Sequence, residues 1–334
     1  MQKPILYVLL SLLSLSLLQA QKPKSPSSSE IYESIQKLNF LGSVLYVAAH
    51  PDDENTRLIS YMSNQIKART GYLSLTRGDG GQNLIGPEIR ELLGVMRTQE
   101  LLAARRIDGG EQFFTRANDF GYSKHPDETL TIWNKDAVLS DVVLAIRTFK
   151  PDIIINRFDH RTPGSTHGHH TSSAMLSLEA FDLANDKSIY SNQLEQTSTW
   201  QPKRIFFNTY SWRGNSEKVK QDNLTTFDIG VYYPLKGLSN NEVASLASSQ
   251  HLCQGFGRLA QRGSQKEQIE FLKGEPFNNK ENVFEGIDTS WNRVKDGKAI
   301  GDILNEIEME FNFKNPSFHI PELLEAYKLL QNIE

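Results

Sequence analysis

Cysteine is almost missing from this sequence. Cys253 is the single one among 334 residues, so no internal disulfide can staple the fold and stability must come from a packed core. A strong charge of either sign is missing as well. The formal net charge of -4 gives no electrostatic case for nucleic acid or an anionic membrane as a partner. Beyond residue 20 no run is apolar enough for the ~20 residues a spanning helix needs. Two familiar chemistries also lack their signatures. "TRGDGGQN" (76–83) is as flexible as a phosphate-cradling loop but has neither the P-loop nor the dinucleotide spacing, and there is no G-x-S-x-G elbow for serine catalysis. No internal repeat is present, so a solenoid or array is excluded.

What is present begins with a leader. Residues 1–20, "MQKPILYVLLSLLSLSLLQA", join Lys3 to an apolar stretch from Ile5 to Leu18 and then to Ala20 before Gln21, the pattern of a cleaved secretory signal peptide. The expected location is therefore periplasmic or secreted. No cysteine lies near the cleavage point, so lipid attachment there is not expected. A Pro/Ser linker, "QKPKSPSSS", follows, and then a short amphipathic helix. Ser27 and Glu30 suit a capping box there, and Ile31, Ile35 and Leu38 share one face. Residues 21–42 are read as this linker and helix, 43–270 as the main domain and 271–334 as a helical tail.

From residue 43, short fully apolar runs alternate with longer helical patterns. This is how parallel strands covered on both faces read, and it predicts an α/β, Rossmann-like fold. The runs "VLYVAA" (44–49), "GYLSL" (71–75) and "DIIIN" (152–156) each lead into a polar loop rich in Gly, His or Asp. In open parallel sheets ligands bind beyond the carboxyl ends of strands, so these loops are expected to converge. Helices are predicted over 87–107, with Pro87 in its first turn and Leu92, Leu93, Met96 and Leu101 on one side, and over 171–184. Further strands are predicted at "RIFFNTY" (204–210) and "DIGVYY" (228–233).

Two clusters carry chemistry. "HPDDE" (50–54) follows the first strand, and a turn at Pro51 lets His50 and Asp53 address one metal ion while Asp52 points elsewhere. A carboxylate beside a metal but not bound to it can take a proton from the attacking water. Glu54 either orients a ligand or caps the next helix, with the structural role favoured. The second cluster, "HRTPGSTHGHH" (160–170), holds half of the chain's 8 histidines between a strand and a helix. His167 and His170, three apart in the first helical turn, face the same way. One of them as third ligand completes the open His, Asp, His geometry of a catalytic zinc site, and the other can bond the oxyanion of a tetrahedral intermediate. His160 and His169 read as loop or supporting residues. His125, His251 and His319 have no companions in sequence, and Arg97 with Glu100 reads as an ordinary surface pair.

"AAHPDDE" with "HGHH" resembles the PIG-L/LmbE-like superfamily of metal-dependent de-N-acetylases, which remove acetyl from N-acetylglucosaminyl groups. "TRGDGGQNLIG", "RTQELLAARRIDGG" and "YYPLKGLSNNEVASLASSQHLCQGFG" resemble segments of its longer bacterial members, so the likeness runs over roughly residues 40–260. The resemblance implies that His50, Asp53 and His170 bind zinc, or another divalent ion such as Fe²⁺, that Asp52 is the general base and that His167 assists the oxyanion. It also implies that Arg97, in "RTQEL", contacts substrate and that Asp119, in "NDFGY", holds the sugar. Many members carry an aspartate where this chain has His169, which bears on the tuning of His167. Longer members continue past the deacetylase domain, so this chain reads as a compact or shortened version. The function expected is zinc-dependent N-deacetylation of an N-acetylglucosamine-containing conjugate, a small-molecule or glycoconjugate substrate. A zinc amidase acting on another amide, or a sugar-binding protein without catalysis, is the alternative.

Overall fold

The computed structural model describes residues 25–209, 219–257 and 259–333. The leader at 1–20 lies outside them. Among the described residues no helix is long and apolar enough to cross a membrane.

The architecture is a seven-stranded, mostly parallel sheet between helices. The chain enters through α1 (Ser28–Asn39), whose capping box from Ser27 and Glu30 forms as the sequence predicts, with Ile35 as its buried residue and Leu38 exposed. Strand β1 (Ser43–Ala48) is followed by α2 (Thr56–Ser60), β2 (Arg69–Ser74), α3 (Glu91–Asp108) and β3 (Glu111–Phe114). Helices α4 (Pro126–Trp133) and α5 (Lys135–Phe149) then lead to β4 (Ile153–Asn156), α6 (Gly168–Leu183) and β5 (Arg204–Asn208). Strand order is β3-β2-β1-β4-β5, all parallel, so the chain builds outward from β1 in one direction and from β4 in the other. The crevice between the carboxyl ends of β1 and β4 is therefore the topological switch point, where open α/β sheets bind ligands. "HPDDE" leaves β1 at that point, and the histidine-rich loop leaves β4 beside it.

Side-chain alternation explains why these runs are apolar throughout. Val44, Tyr46 and Ala48 of β1, with Ile153 and Ile155 of β4, face a core closed by Leu58, Ile59 and Leu101. Leu45, Val47 and Ile154 face the opposite core, closed by Val138, Val142 and Ile146 of α5 and Leu176 and Phe181 of α6. A strand buried on both faces has no solvent side on which to carry polar residues.

After β5 the sheet gains an antiparallel edge. Strands β6 (Leu224–Asp228) and β9 (Lys266–Gly274) extend it in the order β5-β9-β6, and the pair β7 (Tyr232–Tyr233) and β8 (Leu238–Ser239) leads into α7 (Asn240–Ser248). Helix α7 packs on α2 and α3. The sheet thus runs past residue 270, to Gly274, before α8 (Lys298–Met309) and α9 (Ile320–Leu330). A forked Arg293 ties this last region to Asp152 at 2.7 and 2.9 Å.

Two predicted elements are corrected. Helix α3 begins at Glu91, not Pro87, because Asn83 accepts the N–H groups of Ile85 and Gly86 and bonds Glu88, holding 83–90 as a loop. Leu92 is consequently 66% exposed instead of packed beside Leu93. "DIGVYY" is not one strand, since Asp228 ends β6 and accepts the Gly230 N–H at 2.9 Å, turning the chain.

Candidate metal and catalytic site

The turn after β1 is built around Asp53. Its Oδ2 accepts the His50 backbone N–H at 2.8 Å and lies 3.0 Å from His50 Nδ1, so the aspartate folds back on the strand end. Burial works against its ionised form, but His170 and His50 outweigh that and hold the carboxyl well below the usual range. Asp52 is thrown to the other side, with φ at 92°. A non-glycine residue in this region costs about 1–3 kcal/mol and persists only where its surroundings enforce it.

Here the enforcement is a buried charged network. Glu54 accepts the Asp52 N–H at 2.9 Å through Oε2, while its Oε1 meets Arg105 at 3.1 Å and His251 Nε2 at 2.7 Å. Arg105 also reaches Asp108 at 2.6 Å. Burial alone would raise the Glu54 carboxyl, yet His251 and Arg105 draw it down to about 2. The cap of α2 falls to Asn55, which accepts the Leu58 N–H, and not to Glu54.

Arg97 completes the first loop, and the surface pairing with Glu100 does not form. Only 3% exposed, it donates to the carbonyls of Pro51 and Gly78 and meets Asp52 Oδ1 at 3.0 Å. Glu100 instead accepts the Cys253 N–H at 2.8 Å. Burial raises the Asp52 carboxyl, Arg97 opposes it and Asp53 adds to it, and the group settles at about 7.

The second loop delivers the histidines. Helix α6 starts at Gly168, where a β-carbon would lie 2.5 Å from Ser123 Oγ and 2.7 Å from the His125 carbonyl, so only glycine lets the helix start this close to that segment. His167 is the N-cap, its Nδ1 accepting the His169 N–H at 3.0 Å. The rings of His167, His169 and His170 stand with centroids 5.2, 5.1 and 5.3 Å from that of His50. His170 Nε2 approaches Asp53 Oδ1 at 3.5 Å, and the ring stacks on Phe158 at 3.8 Å. Burial, reinforced by the neighbouring imidazoles, lowers His167 to about 4, His169 to about 2 and His170 to about 3. The unprotonated ring is the form that binds a metal.

The structure therefore brings together all three expected ligands. His50, Asp53 and His170 each offer a donor atom, all within 4.8 Å of one another. Two imidazoles and one carboxylate are the donor set of a three-ligand site for a divalent cation. A second trio, His50, His167 and His169, meets the same distance. His167 borders the first trio from the second loop, its ring centroid 5.2 Å from that of His50 and 5.0 Å from that of His170, and Asp52 adjoins it in the first loop. Asp119 is buried beneath it, its Oδ1 accepting the Gly121 N–H at 2.9 Å and lying 3.9 Å from His169 Nδ1. Tyr122, 72% exposed, sets its ring edge-on to His167 at 4.8 Å.

Of the two roles the sequence leaves to His169, the structure places it in the supporting one, fully buried against His50. Two participants escaped the sequence. His251, without neighbours in sequence, joins Glu54 only through the packing of α7. Phe158, two residues past the end of β4, stacks on His170, and its place at a strand end was the one signal available. His160 lies half-buried beside Asp159, His125 caps α4, and His319 stacks on Phe311, all apart from the trio.

This arrangement can be set beside known proteins. Residues 45–181 match the family model PIG-L, described as GlcNAc-PI de-N-acetylase. That segment is a PIG-L family domain. It runs from β1 through α6 and contains both loops of the site. Among curated proteins, the chain is similar to the 1D-myo-inositol 2-acetamido-2-deoxy-alpha-D-glucopyranoside deacetylase of Kineococcus radiotolerans, at 26% identity over 160 residues. The match takes in 41% of this chain and 43% of that one, so the chain spans under half the length of that relative. Among solved structures, N,N'-diacetylchitobiose deacetylase from Pyrococcus horikoshii superposes with a TM-score of 0.42 at 16% identity, covering 62% of this chain and 70% of the other. The 4-carboxy-2-hydroxymuconate hydratase from Pseudomonas putida KT2440 superposes with a TM-score of 0.47 at 15% identity, covering 71% and 99%. The PIG-L segment ends at residue 181, before the strands that carry the sheet to β6.

Proposed function

We propose that this chain is a metal-dependent N-deacetylase that removes acetyl from an N-acetylglucosamine-containing conjugate, with zinc as the ion. The observation that carries the reading is the convergence of His50, Asp53 and His170 beside an Asp52 that Glu54 and Arg97 hold out of the ligand set. The PIG-L match over 45–181 supports the acetamide of an amino sugar as the substrate group.

The ion, held by His50, Asp53 and His170, would supply Lewis acidity toward the acetamide carbonyl and the attacking water. Asp52 takes a proton from that water as it adds to the carbonyl carbon. His167 donates a hydrogen bond to the oxyanion that develops on the carbonyl oxygen. As the tetrahedral centre collapses, Asp52 returns its proton to the leaving nitrogen, releasing acetate and a free amino sugar. Arg97 fixes the Asp52 carboxylate, and Arg97 and Asp119 are assigned to the sugar. Export, carried by residues 1–20, belongs to the same reading.

The test is acetate release from a panel of N-acetylglucosamine conjugates by the purified chain, with and without chelator and added zinc, beside Asp52→Ala. Expected is zinc-restored release that falls by about 10²–10⁴ in Asp52→Ala while zinc binding is retained. One equivalent of bound zinc with no conjugate cleaved would move the substrate to another amide. No zinc binding would remove the metal from the reading.

A further inference from the structure

His169 is the imidazole of the cluster that solvent does not reach, at 0% exposure. Its ring is wedged between Phe120, at 4.5 Å, and Trp133, at 4.7 Å. One nitrogen, Nδ1, lies 2.9 Å from His50 Nε2, and the other, Nε2, has no hydrogen-bond partner. The nearest carboxylate, Asp119, stands 3.9 Å from His169 Nδ1, outside hydrogen-bond distance. The contact is therefore one ring nitrogen against another, with no carboxylate within hydrogen-bond distance of His169.

Proton placement in such a pair is not free. Two nitrogens at 2.9 Å share one proton, and a neutral imidazole carries only one. If the shared proton belonged to His169, His50 would hold its own on Nδ1, against Asp53, and would have no lone pair to offer there. With the shared proton on His50 Nε2, the Nδ1 lone pair faces Asp53, 3.0 Å away. His169 then carries its proton on Nε2, the nitrogen without a hydrogen-bond partner.

We propose that His169 is a positioning residue: its Nδ1 accepts the Nε2–H of His50 and holds His50 in the tautomer whose Nδ1 lone pair is turned to the cation site. The inference rests on the assignment of His50, Asp53 and His170 as metal ligands. Residues that orient metal-binding histidines in this way change metal affinity by about 10–100-fold when removed.

The test uses the full chain, zinc-free and zinc-loaded, as wild type, His169→Phe and His169→Asn. Phenylalanine suits the pocket between Phe120 and Trp133 but accepts no hydrogen bond. Asparagine can set its Oδ1 where Nδ1 stands. Zinc affinity is read by competition with a chelating dye, the His50 tautomer by nitrogen NMR, and folding by the zinc-free melting temperature. Expected is an Nε2–H tautomer of His50 in zinc-loaded wild type, a zinc affinity about 10–100-fold weaker in His169→Phe, and recovery of most of it in His169→Asn. Unchanged affinity in His169→Phe overturns the proposal, as does an Nδ1–H tautomer of His50 in zinc-loaded wild type, which needs no variant to read. Two zinc ions per wild-type chain and one in His169→Phe would make His169 a ligand with His50 and His167, and also overturn it. Wild type that binds no zinc would instead fail the metal assignment itself.

Discussion

The Glu54 carboxylate accepts the backbone N–H of Asp52 at 2.9 Å, on a residue whose φ is 92°. Glu54 thus touches the proposed base through its main chain and holds the turn that separates Asp52 from Asp53. Its side chain is fully buried, and its other oxygen is shared by Arg105 and His251. Removing it leaves those two groups facing a hole. Glu54→Ala is expected to destabilise the fold by about 3–5 kcal/mol, the usual cost of breaking a buried ion pair. Glu54→Gln, which keeps an acceptor for Asp52, should lose less. Urea unfolding of the two variants checks this, and equal losses would show that the Asp52 contact adds nothing.

A pH dependence follows from the same network. Burial lowers the His251 pKa, but Glu54, with Asp52 adding to it and Arg105 opposing, raises it above its ordinary 6.5 overall. A group raised on folding stabilises fully below its unfolded pKa, and that contribution is lost as pH climbs through the folded value. The urea midpoint is therefore expected to fall as pH rises above about 6.5 and through the raised folded value, with a shallower fall in His251→Gln. Parallel pH profiles for the two proteins would contradict the assignment.

Arg97 can be moved without being mutated. Gly78 has φ +74°, and a β-carbon there would lie 2.4 Å from the Arg97 guanidinium. Gly78→Ala should push the arginine off Asp52 and lower kcat/KM by roughly 10²-fold, the scale of an ångström's misplacement in an active site. Gly237→Ala is the control, since it has φ +69° but nothing within 4 Å. It should cost about 1 kcal/mol of stability and leave kcat/KM alone. If both substitutions leave turnover unchanged, Arg97 is not needed where it stands.

The sequence made the parallel core and the first trio legible for one physical reason. Strands buried on both faces carry short apolar runs, so the runs within β1, β2 and β4 stand out, and the polar residues at their ends stand out against them. His50, Asp53 and His170 are set by local spacing next to such ends. Arg97, Glu54 and His251 are different, because their roles depend on which helix packs over which loop. Arg97 and Glu100 are three apart on one helix, and the arginine faces inward because the loops at Pro51 and Gly78 bring their carbonyls, and Asp52, to its guanidinium. The start of α3 was misplaced by four residues because Pro87 is a good first-turn residue, while the side chain of Asn83 holds that stretch as a loop.

Strand β9 has a further consequence. The residues matched by the family model end at 181, yet β4 is covered by β5 and β5 by β9, from positions 204–208 and 266–274. His251 pairs with Glu54 beside Arg105, and the Cys253 carbonyl accepts the Leu84 N–H at 2.9 Å. An excised 45–181 fragment would present β4, with its three consecutive isoleucines, as an open edge, an invitation to self-association, and would leave Arg105 as the sole cationic partner of Glu54. The smallest portable unit, for transplantation or for directed evolution, therefore extends from α1 at least to Arg293, the partner of Asp152, about twice as far along the chain as the recognisable motifs.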